Sequence, residues 1–95
     1  MPKEIEILVG RRIEMRRKEL ALTTTDFAKL IGISQQQQSR IERGECKITV
    51  SRLLHIAVIT DTPIDWFFQD CYPYIQQSMK DRFAVDVHAR RRRKK

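Results

Sequence analysis

Residues 22–44 constrain the fold of this chain more than any other part of the sequence. Thr23 and Ser34 are residue types that cap helix N-termini, and Gly32 between them suits the left-handed conformation in which many helices end. Apolar residues follow each cap at helical spacing. The segment therefore predicts two short helices, residues 24–31 and residues 35–43, joined by a tight turn.

The two predicted helices differ in the faces that they present. The first is expected to bury Phe27, Ala28, Leu30 and Ile31, with the small Ala28 where two helices cross closely. On a helical wheel of the second helix, Gln38 and Ile41 face the first helix. Its outward face consists of Gln36, Ser39, Arg40 and Arg43, with Gln35 at the exposed N-terminal end.

The outward face carries side chains that can contact DNA bases. A glutamine amide can pair with adenine in the major groove, and an arginine guanidinium can pair with guanine. Arg43, at the far end of the helix, is better placed for a phosphate. A run of glutamines is also typical of a solvated helix face, so the interpretation depends on the caps and glycines that surround it.

Apolar spacing and end signals predict four further helices. An amphipathic first helix covers residues 4–19, and a fourth helix, capped by Thr49, is apolar on most sides and is expected to be the central buried helix. Thr62 and Pro63 predict the cap and first residue of a short fifth helix. Its aromatic residues, Trp66, Phe67 and Phe68, are expected to pack in the core or an interface rather than to stack on bases.

The C-terminal part is predicted to form a sixth helix and a basic tail. The pair Tyr72-Pro73 predicts a break in the chain before this helix. Its narrow apolar stripe consists of Ile75, Met79, Phe83 and Val87. No stretch alternates as a β-strand does, so the predicted fold is all-α. The sequence is divided into a DNA-binding domain at 1–71, a helix for packing or dimerisation at 72–89, and a disordered tail at 90–95.

The charge is concentrated at one end of the chain. The net charge is +7, and residues 90–95 supply six of those charges, so the remainder carries only +1. The total favours a polyanionic partner. The tail either binds phosphates nonspecifically or only keeps the protein soluble.

Other function classes receive little support from the sequence. Cys46 and Cys71 lie far apart and, with His55 and His88, make no metal-ligand spacing, which indicates ordinary thiols. Asp61 and Asp65 form a carboxylate pair four residues apart, but Asp65, next to Pro63, is better explained as a first-turn charge of the fifth helix than as a catalytic group. No apolar run approaches the length of a membrane span. We therefore expect a cytoplasmic protein with no enzymatic activity, metal, cofactor or small-molecule ligand.

The pattern T-x-x-D-F-A-x-L-I-G-I-S-Q-Q-x-x-S-R-I-E-R-G resembles the Cro/C1-type helix-turn-helix repressors, also called the XRE family. The resemblance covers about residues 7–69, and it implies a five-helix repressor-like domain that binds double-stranded DNA. By position, the implied base contacts fall to Gln35, Gln36, Ser39 and Arg40.

The resemblance also assigns supporting roles. Thr24 stands where the family has a glutamine that contacts phosphate, and the implied phosphate contacts are Thr24, Gln37, Arg43 and Lys47. Gln37 also completes an S-x-x-Q capping box with Ser34. Arg17 and Glu42 match a structural ion pair of the family. Gln38 departs from it, because the family has an apolar residue there, so we expect Gln38 either to hydrogen-bond locally or to lie nearer the surface.

A narrower likeness concerns S-Q-Q-Q-Q-S-R-I-E, which is similar to the S-Q-Q-Q-x-S-R-Y-E motif of the MrpJ-type fimbrial-operon regulators of enterobacteria. The sequence thus predicts a bacterial, nucleoid-associated transcriptional regulator, a homodimer on a two-fold operator, with a possible role in fimbrial or motility genes. Two alternatives stay open: an antitoxin that regulates its own gene through the same helices, and a nonspecific architectural DNA-binding protein that depends on the tail.

Overall fold

The structure is a computed structural model of the chain and describes residues 4–79. Within them lie five α-helices and one 3₁₀ helix, without any strand. The elements are α1 (Glu4–Glu19), α2 (Thr24–Ile31), α3 (Gln35–Glu42), α4 (Val50–Ile59), the 3₁₀ helix (Ile64–Phe68) and α5 (Cys71–Met79). The all-α prediction is confirmed. The predicted stripe residues Phe83 and Val87 and the basic tail at 90–95 lie outside the described residues.

Three side-chain caps fix where the central helices begin. The hydroxyl oxygens of Thr23, Ser34 and Thr49 accept hydrogen bonds from the backbone N–H three residues later, at 3.0, 3.0 and 3.1 Å. Gly32 ends α2 in the left-handed conformation, with φ of 78°. The predicted starts and ends of α2 and α3 are therefore confirmed to within one residue.

Every element contributes buried side chains to the core, and α1 packs against three of the other elements. α1 packs against α3, the 3₁₀ helix and α5, while α2 packs against α3 and α4. The fully buried apolar side chains include Ile13 of α1, Phe27 of α2, Ile56 of α4 and Phe67 of the 3₁₀ helix. Trp66 meets Phe67 edge to face, with ring centroids 5.2 Å apart. The aromatic segment is thus mainly core packing, as predicted.

Two predictions of burial are wrong. Leu30 is 51% exposed, because on the wheel of α2 it lies to one side of the stripe formed by Phe27, Ala28 and Ile31. α4 is not a central helix: it buries Leu53, Ile56 and Ala57 and leaves a second apolar row exposed. A surface helix buries one stripe only, and a helix that is apolar on most sides does not indicate which stripe is covered.

The C-terminal elements also begin differently from the prediction. Pro63 is at the N-cap of the 3₁₀ helix rather than inside it, and Thr62 hydrogen-bonds the carbonyl oxygen of Thr60 instead of capping. The Trp66 N–H donates to the Pro63 carbonyl oxygen at 3.0 Å, and this i→i−3 hydrogen bond is the pattern of a 3₁₀ helix. α5 begins at Cys71 and runs through Pro73. A proline is tolerated there because N–H groups of the first turn have no partner within a helix.

Arginines of α1 hold the C-terminal elements in place. Arg12 donates from Nε and Nη2 to the carboxylate of Asp70, at 2.8 and 3.0 Å, and its guanidinium lies 4.6 Å from the Trp66 ring centroid. This hydrogen bonding keeps the pKa of Asp70 below its ordinary value. Arg16 donates to Thr62 Oγ1 at 2.8 Å and to the Thr60 carbonyl at 3.1 Å. Two of the arginines of α1 are therefore engaged in contacts with the chain's own C-terminal elements.

Gly10 allows α1 and α3 to approach closely, a role that the sequence reading missed. A Cβ atom at this buried position would lie 2.8 Å from the backbone oxygen of Glu42, and closer still to that of Ile41. Gly44, with φ of 73°, meets Ile7 of α1 in a similar way. A lone glycine inside an amphipathic helix was the available signal. Backbone contact between α1 and the C-terminal end of α3 thus depends on two glycines.

Gly10→Ala is expected to lower the free energy of unfolding by about 1–3 kcal/mol, because the new methyl group meets backbone that cannot rotate away. Without this contact the substitution would stabilise the helix by up to about 1 kcal/mol, so the sign is diagnostic. Urea unfolding followed by circular dichroism measures it. Arg11→Ala, at an exposed position in the same helix, is the control and should change stability by less than ~0.5 kcal/mol. A Gly10→Ala protein as stable as the parent would contradict the assignment.

Candidate nucleic-acid interface

The outward face of α3 borders an open groove of about 680 Å³. The groove contains two arginines and no acidic residue, so its charged groups favour an anionic ligand. Its lining residues are Ser34, Gln35, Gln36, Gln37, Ser39, Arg40, Arg43 and Cys46. The sequence reading did not assign Cys46 to this surface. The four residues predicted to contact bases are all among those that line the groove.

Those four residues are not equally available. Gln35 donates from Nε2 to Ser39 Oγ at 3.0 Å, so two of the predicted base-contacting side chains are paired with each other. The side chains of Gln36 and Arg40 are exposed and form no hydrogen bond or ion pair within residues 4–79. Of these four, Gln36 and Arg40 are therefore the side chains that a ligand can bind without breaking an internal contact.

Of the four residues predicted to contact phosphate, Gln37 and Arg43 line the groove, and Thr24 and Lys47 are not among its lining residues. Arg43 donates from Nε and Nη2 to the Glu45 carboxylate at 2.8 and 3.1 Å, in an exposed ion pair. Lys47 is exposed in the loop before α4, and Thr24 is half-buried in the first turn of α2. Gln37 is exposed on the first turn of α3.

The capping box at Ser34 is formed only in part. The Ser34 hydroxyl oxygen accepts from the backbone N–H of Gln37, but the Gln37 side chain makes no return bond to Ser34 in the part of the chain described. The prediction of a reciprocal S-x-x-Q box is therefore wrong in its second half. Because the amide is not used for capping, it is free to contact a ligand.

α3 is held to α1 by a buried ion pair. Arg17 donates from Nε to Glu42 Oε2 at 2.7 Å and from Nη2 to Oε1 at 3.0 Å, and both residues are only 8% exposed. Arg17 also donates from Nη1 to the carbonyl oxygen of Leu22 at 2.9 Å. One guanidinium therefore fixes α3, α1 and the turn before α2 relative to each other.

Gln38 extends this network and leaves one atom unpaired. Its side chain is fully buried, and Nε2 donates to Glu42 Oε2 at 2.8 Å, so the expectation of a local hydrogen bond holds and the surface alternative is wrong. Its Oε1 has no hydrogen-bond partner within the described residues. An unpaired buried acceptor costs about 1–3 kcal/mol. The glutamine orients Glu42, although it costs more to bury than the apolar residue expected at this position.

Groups suggested for other chemistry do not converge. Residues 4–79 contain no cluster of three His, Cys, Asp or Glu side chains that could hold a metal ion. Asp65 lies in the first turn of the 3₁₀ helix, as predicted. Burial raises the pKa of the Cys71 thiol, which makes it less reactive. No helix in this part of the chain combines the length and apolar character needed to cross a membrane.

The helix-turn-helix family model HTH_3 matches residues 13–67. A protein from Rhodospirillum rubrum, named as an uncharacterized transcriptional regulator in the ATPase CF(0) region, is 42% identical over 66 residues, which is 70% of this chain and 61% of that protein. A relative from Sinorhizobium medicae, named as an uncharacterized HTH-type transcriptional regulator, is 36% identical over 69 residues, and the match covers 50% of that protein. The chain thus spans about half to three fifths of these relatives.

Solved structures show the same fold. The restriction-modification controller protein C.AhdI from Aeromonas hydrophila superposes with a TM-score of 0.65 at 21% identity, over 70% of this chain and 96% of that chain. An HTH_3 family transcriptional regulator from Vibrio cholerae superposes with a TM-score of 0.66 at 26% identity, over 80% of this chain and 42% of that chain. The repressor-like arrangement of helices that the sequence resemblance implied is confirmed.

Arg17→Met is expected to lower the free energy of unfolding by about 3–5 kcal/mol, because it leaves the Glu42 carboxylate buried without its cation. The double variant Arg17→Met with Glu42→Gln removes both charges but keeps an acceptor oxygen for Gln38 Nε2, so it should recover part of that loss. Urea unfolding of the single and double variants measures the difference. If the double variant were as unstable as Arg17→Met alone, loss of packing rather than an unpaired charge would explain the effect.

Proposed function

The chain belongs to the helix-turn-helix family HTH_3, of the Cro/C1 type, and on that premise we propose that it is a DNA-binding transcriptional regulator that contacts the major groove through α3. The observation that carries the proposal is the outward face of α3, where exposed amide and guanidinium groups border a groove without acidic residues. The names of the relatives from Rhodospirillum rubrum and Sinorhizobium medicae support it.

We assign base contacts to Gln36 and Arg40 first, and then to Gln35 and Ser39. The first two have no internal hydrogen bond to break. Gln35 and Ser39 must exchange their mutual bond, which is worth about 0.5–1.5 kcal/mol, for a contact to DNA. A bidentate pair with a base contributes about 1–3 kcal/mol to discrimination, so the exchange is favourable on the right sequence.

Phosphate contacts are assigned to Thr24, Gln37, Arg43 and Lys47, of which Gln37 and Arg43 line the groove beside α3. Arg43 must exchange Glu45 for a phosphate, and an exposed ion pair of this kind is weak enough to be displaced. Gln37 lies in the first turn of α3, where the helix dipole favours an anion. These contacts fix the register of the helix on the duplex rather than its sequence preference.

We propose a homodimer as the DNA-binding form. α3 is eight residues long, and one helix of this kind contacts only a few base pairs. Two copies related by a two-fold axis would contact half-sites about 34 Å apart, one turn of the duplex. Such a regulator acts on chromosomal DNA in the bacterial cytoplasm.

The finer roles rest on sequence likeness alone. Regulation of fimbrial or motility genes remains a prediction from the S-Q-Q-Q-Q-S-R-I-E motif. The expectation that no small-molecule ligand is bound also remains a prediction. The antitoxin alternative is not favoured, because the relatives described above are named as transcriptional regulators. The tail that an architectural DNA-binding protein would use lies outside the described residues.

Gln36→Ala is expected to relax base preference at one position of each half-site, at a cost of about 1–3 kcal/mol on the preferred base. The same is expected of Gln35→Ala at a neighbouring position. Selection from a random duplex library gives the preferred site, and titration against single-base variants gives the cost. Gln76→Ala changes another exposed glutamine, on α5, and should leave the preference unchanged. A Gln36→Ala protein with unaltered preference would refute this assignment.

Arg43→Ala is expected to weaken binding to all sequences alike, because a phosphate contact carries no base information. The slope of log affinity against log salt concentration should become shallower by about one. Titrations on operator and random duplexes at several salt concentrations measure both effects. Glu45→Gln, which removes the competing carboxylate, should act in the opposite direction. A loss confined to one operator position would instead make Arg43 a base contact.

A further inference from the structure

One face of α4 leaves a row of apolar side chains uncovered. Val50 is 82% exposed, Leu54 52% and Val58 69%, and the three lie four residues apart on the same side of the helix. Next to Leu54 and Val58 runs an open groove of about 540 Å³ that also contains Pro63 and Ile64. Single exposed apolar residues are ordinary, whereas a contiguous row beside a groove indicates a contact surface.

The row has the symmetry that contact with an identical copy requires. Val50 and Val58 stand at equal distances on either side of Leu54. If two α4 helices pack antiparallel about a two-fold axis at Leu54, each Leu54 meets the other copy's Leu54 and each Val50 meets the other copy's Val58. A two-fold contact must be self-complementary in this way.

Opposite charges lie beyond the two ends of α4. Lys47 precedes Leu54 by seven residues and Asp61 follows it by seven, and both are exposed. Neither forms an ion pair with any other residue between 4 and 79. Antiparallel packing brings Lys47 of one copy toward Asp61 of the other, twice. It also brings that carboxylate toward the N-terminal end of α4, where the helix dipole favours negative charge.

We propose that this row on α4, centred on Leu54, is the surface through which two copies of the chain form an antiparallel two-fold dimer. The inference rests on the proposed function, because a two-fold operator calls for a two-fold protein. The groove beside Leu54 and Val58 receives the other copy's Val50. Lys47 then has two competing uses, a DNA phosphate and the other copy's Asp61.

The size of the row sets the strength of the contact. Three aliphatic side chains and a groove cover on the order of a few hundred Å² per copy, below the roughly 800 Å² per partner of a standard interface. We therefore expect a dimer that dissociates on dilution and is stabilised when both copies bind one operator.

Sedimentation of the full chain without DNA, over a range of concentrations, tests the surface. The parent protein is expected to shift from monomer to dimer mass as concentration rises, and Leu54→Glu to remain monomeric. Leu30→Glu is the matched control, because Leu30 has nearly the same exposure, 51%, on α2, and it should dimerise like the parent. A monomeric parent, a dimeric Leu54→Glu, or a Leu54→Glu monomer that melts below the parent at a dilution where the parent is also monomeric would each overturn the proposal. The last outcome would mean that the chain's own residues cover the row.

Cysteine cross-linking tests the antiparallel geometry. In a Cys46→Ser background, Leu54→Cys lies on the two-fold axis and should form a disulfide with itself on mild oxidation. Val50→Cys alone should not, whereas a mixture of Val50→Cys and Val58→Cys proteins should cross-link. If Val50→Cys linked to itself and not to Val58→Cys, the helices would not pack in this register.

Charge reversal and DNA binding complete the test. Lys47→Glu should weaken the dimer measured without DNA, and adding Asp61→Lys should restore it. DNA titrations separate this inference from the proposed function: Leu54→Glu should still bind a duplex with one half-site but lose the extra affinity of the two-fold operator. If a protein that never dimerises through α4 binds the two-fold operator, the proposed function stands and the proposed interface is wrong. If the protein dimerises through α4 and binds no DNA, the proposed interface stands and the proposed function is wrong.

Discussion

The position of α3 depends on the ion pair between Arg17 and Glu42. α3 is eight residues long and buries one apolar side chain, Ile41, so packing alone is a weak constraint on its position. A helix of that length is marginal in water. The bidentate pair, both of whose partners are 8% exposed, ties it to α1, and Gly10 lets the two backbones meet. The outward face of α3 therefore has a fixed orientation before any ligand arrives.

This arrangement relies on polar groups where an apolar contact would stabilise the fold more. Replacing a buried ion pair with hydrophobic side chains is often neutral or stabilising, and Gln38 adds an unpaired oxygen to the cost. The polar network fixes the orientation of α3, because a guanidinium and a carboxylate pair in one defined geometry, whereas aliphatic side chains can pack in several. For a helix proposed to place amides against base edges within hydrogen-bond distance, fixed geometry is worth more than additional stability.

The sequence was sufficient for features that depend on local chemistry. Thr23, Ser34 and Gly32 place the ends of α2 and α3 because caps and left-handed glycines act over a few residues. It was insufficient where tertiary packing decides. α4 has two apolar stripes, and only the assembled fold determines that Leu53 is covered and Leu54 is not. Within the candidate site, the face of α3 followed from the wheel, but the hydrogen bond from Gln35 to Ser39 depends on rotamers that residue spacing does not specify.

Most arginines of α1 form contacts within the protein, so the basic composition overstates the positive charge that is available to bind a ligand. Four arginines lie in this helix, and three, Arg12, Arg16 and Arg17, donate to oxygen atoms of the protein itself. Cations already neutralised within the fold release few counterions from a duplex. The described part of the chain therefore has little general attraction for nucleic acid. Under the proposed function, encounters of this part with random sequence are brief, and the time that it spends at a site is set by base contacts rather than by charge.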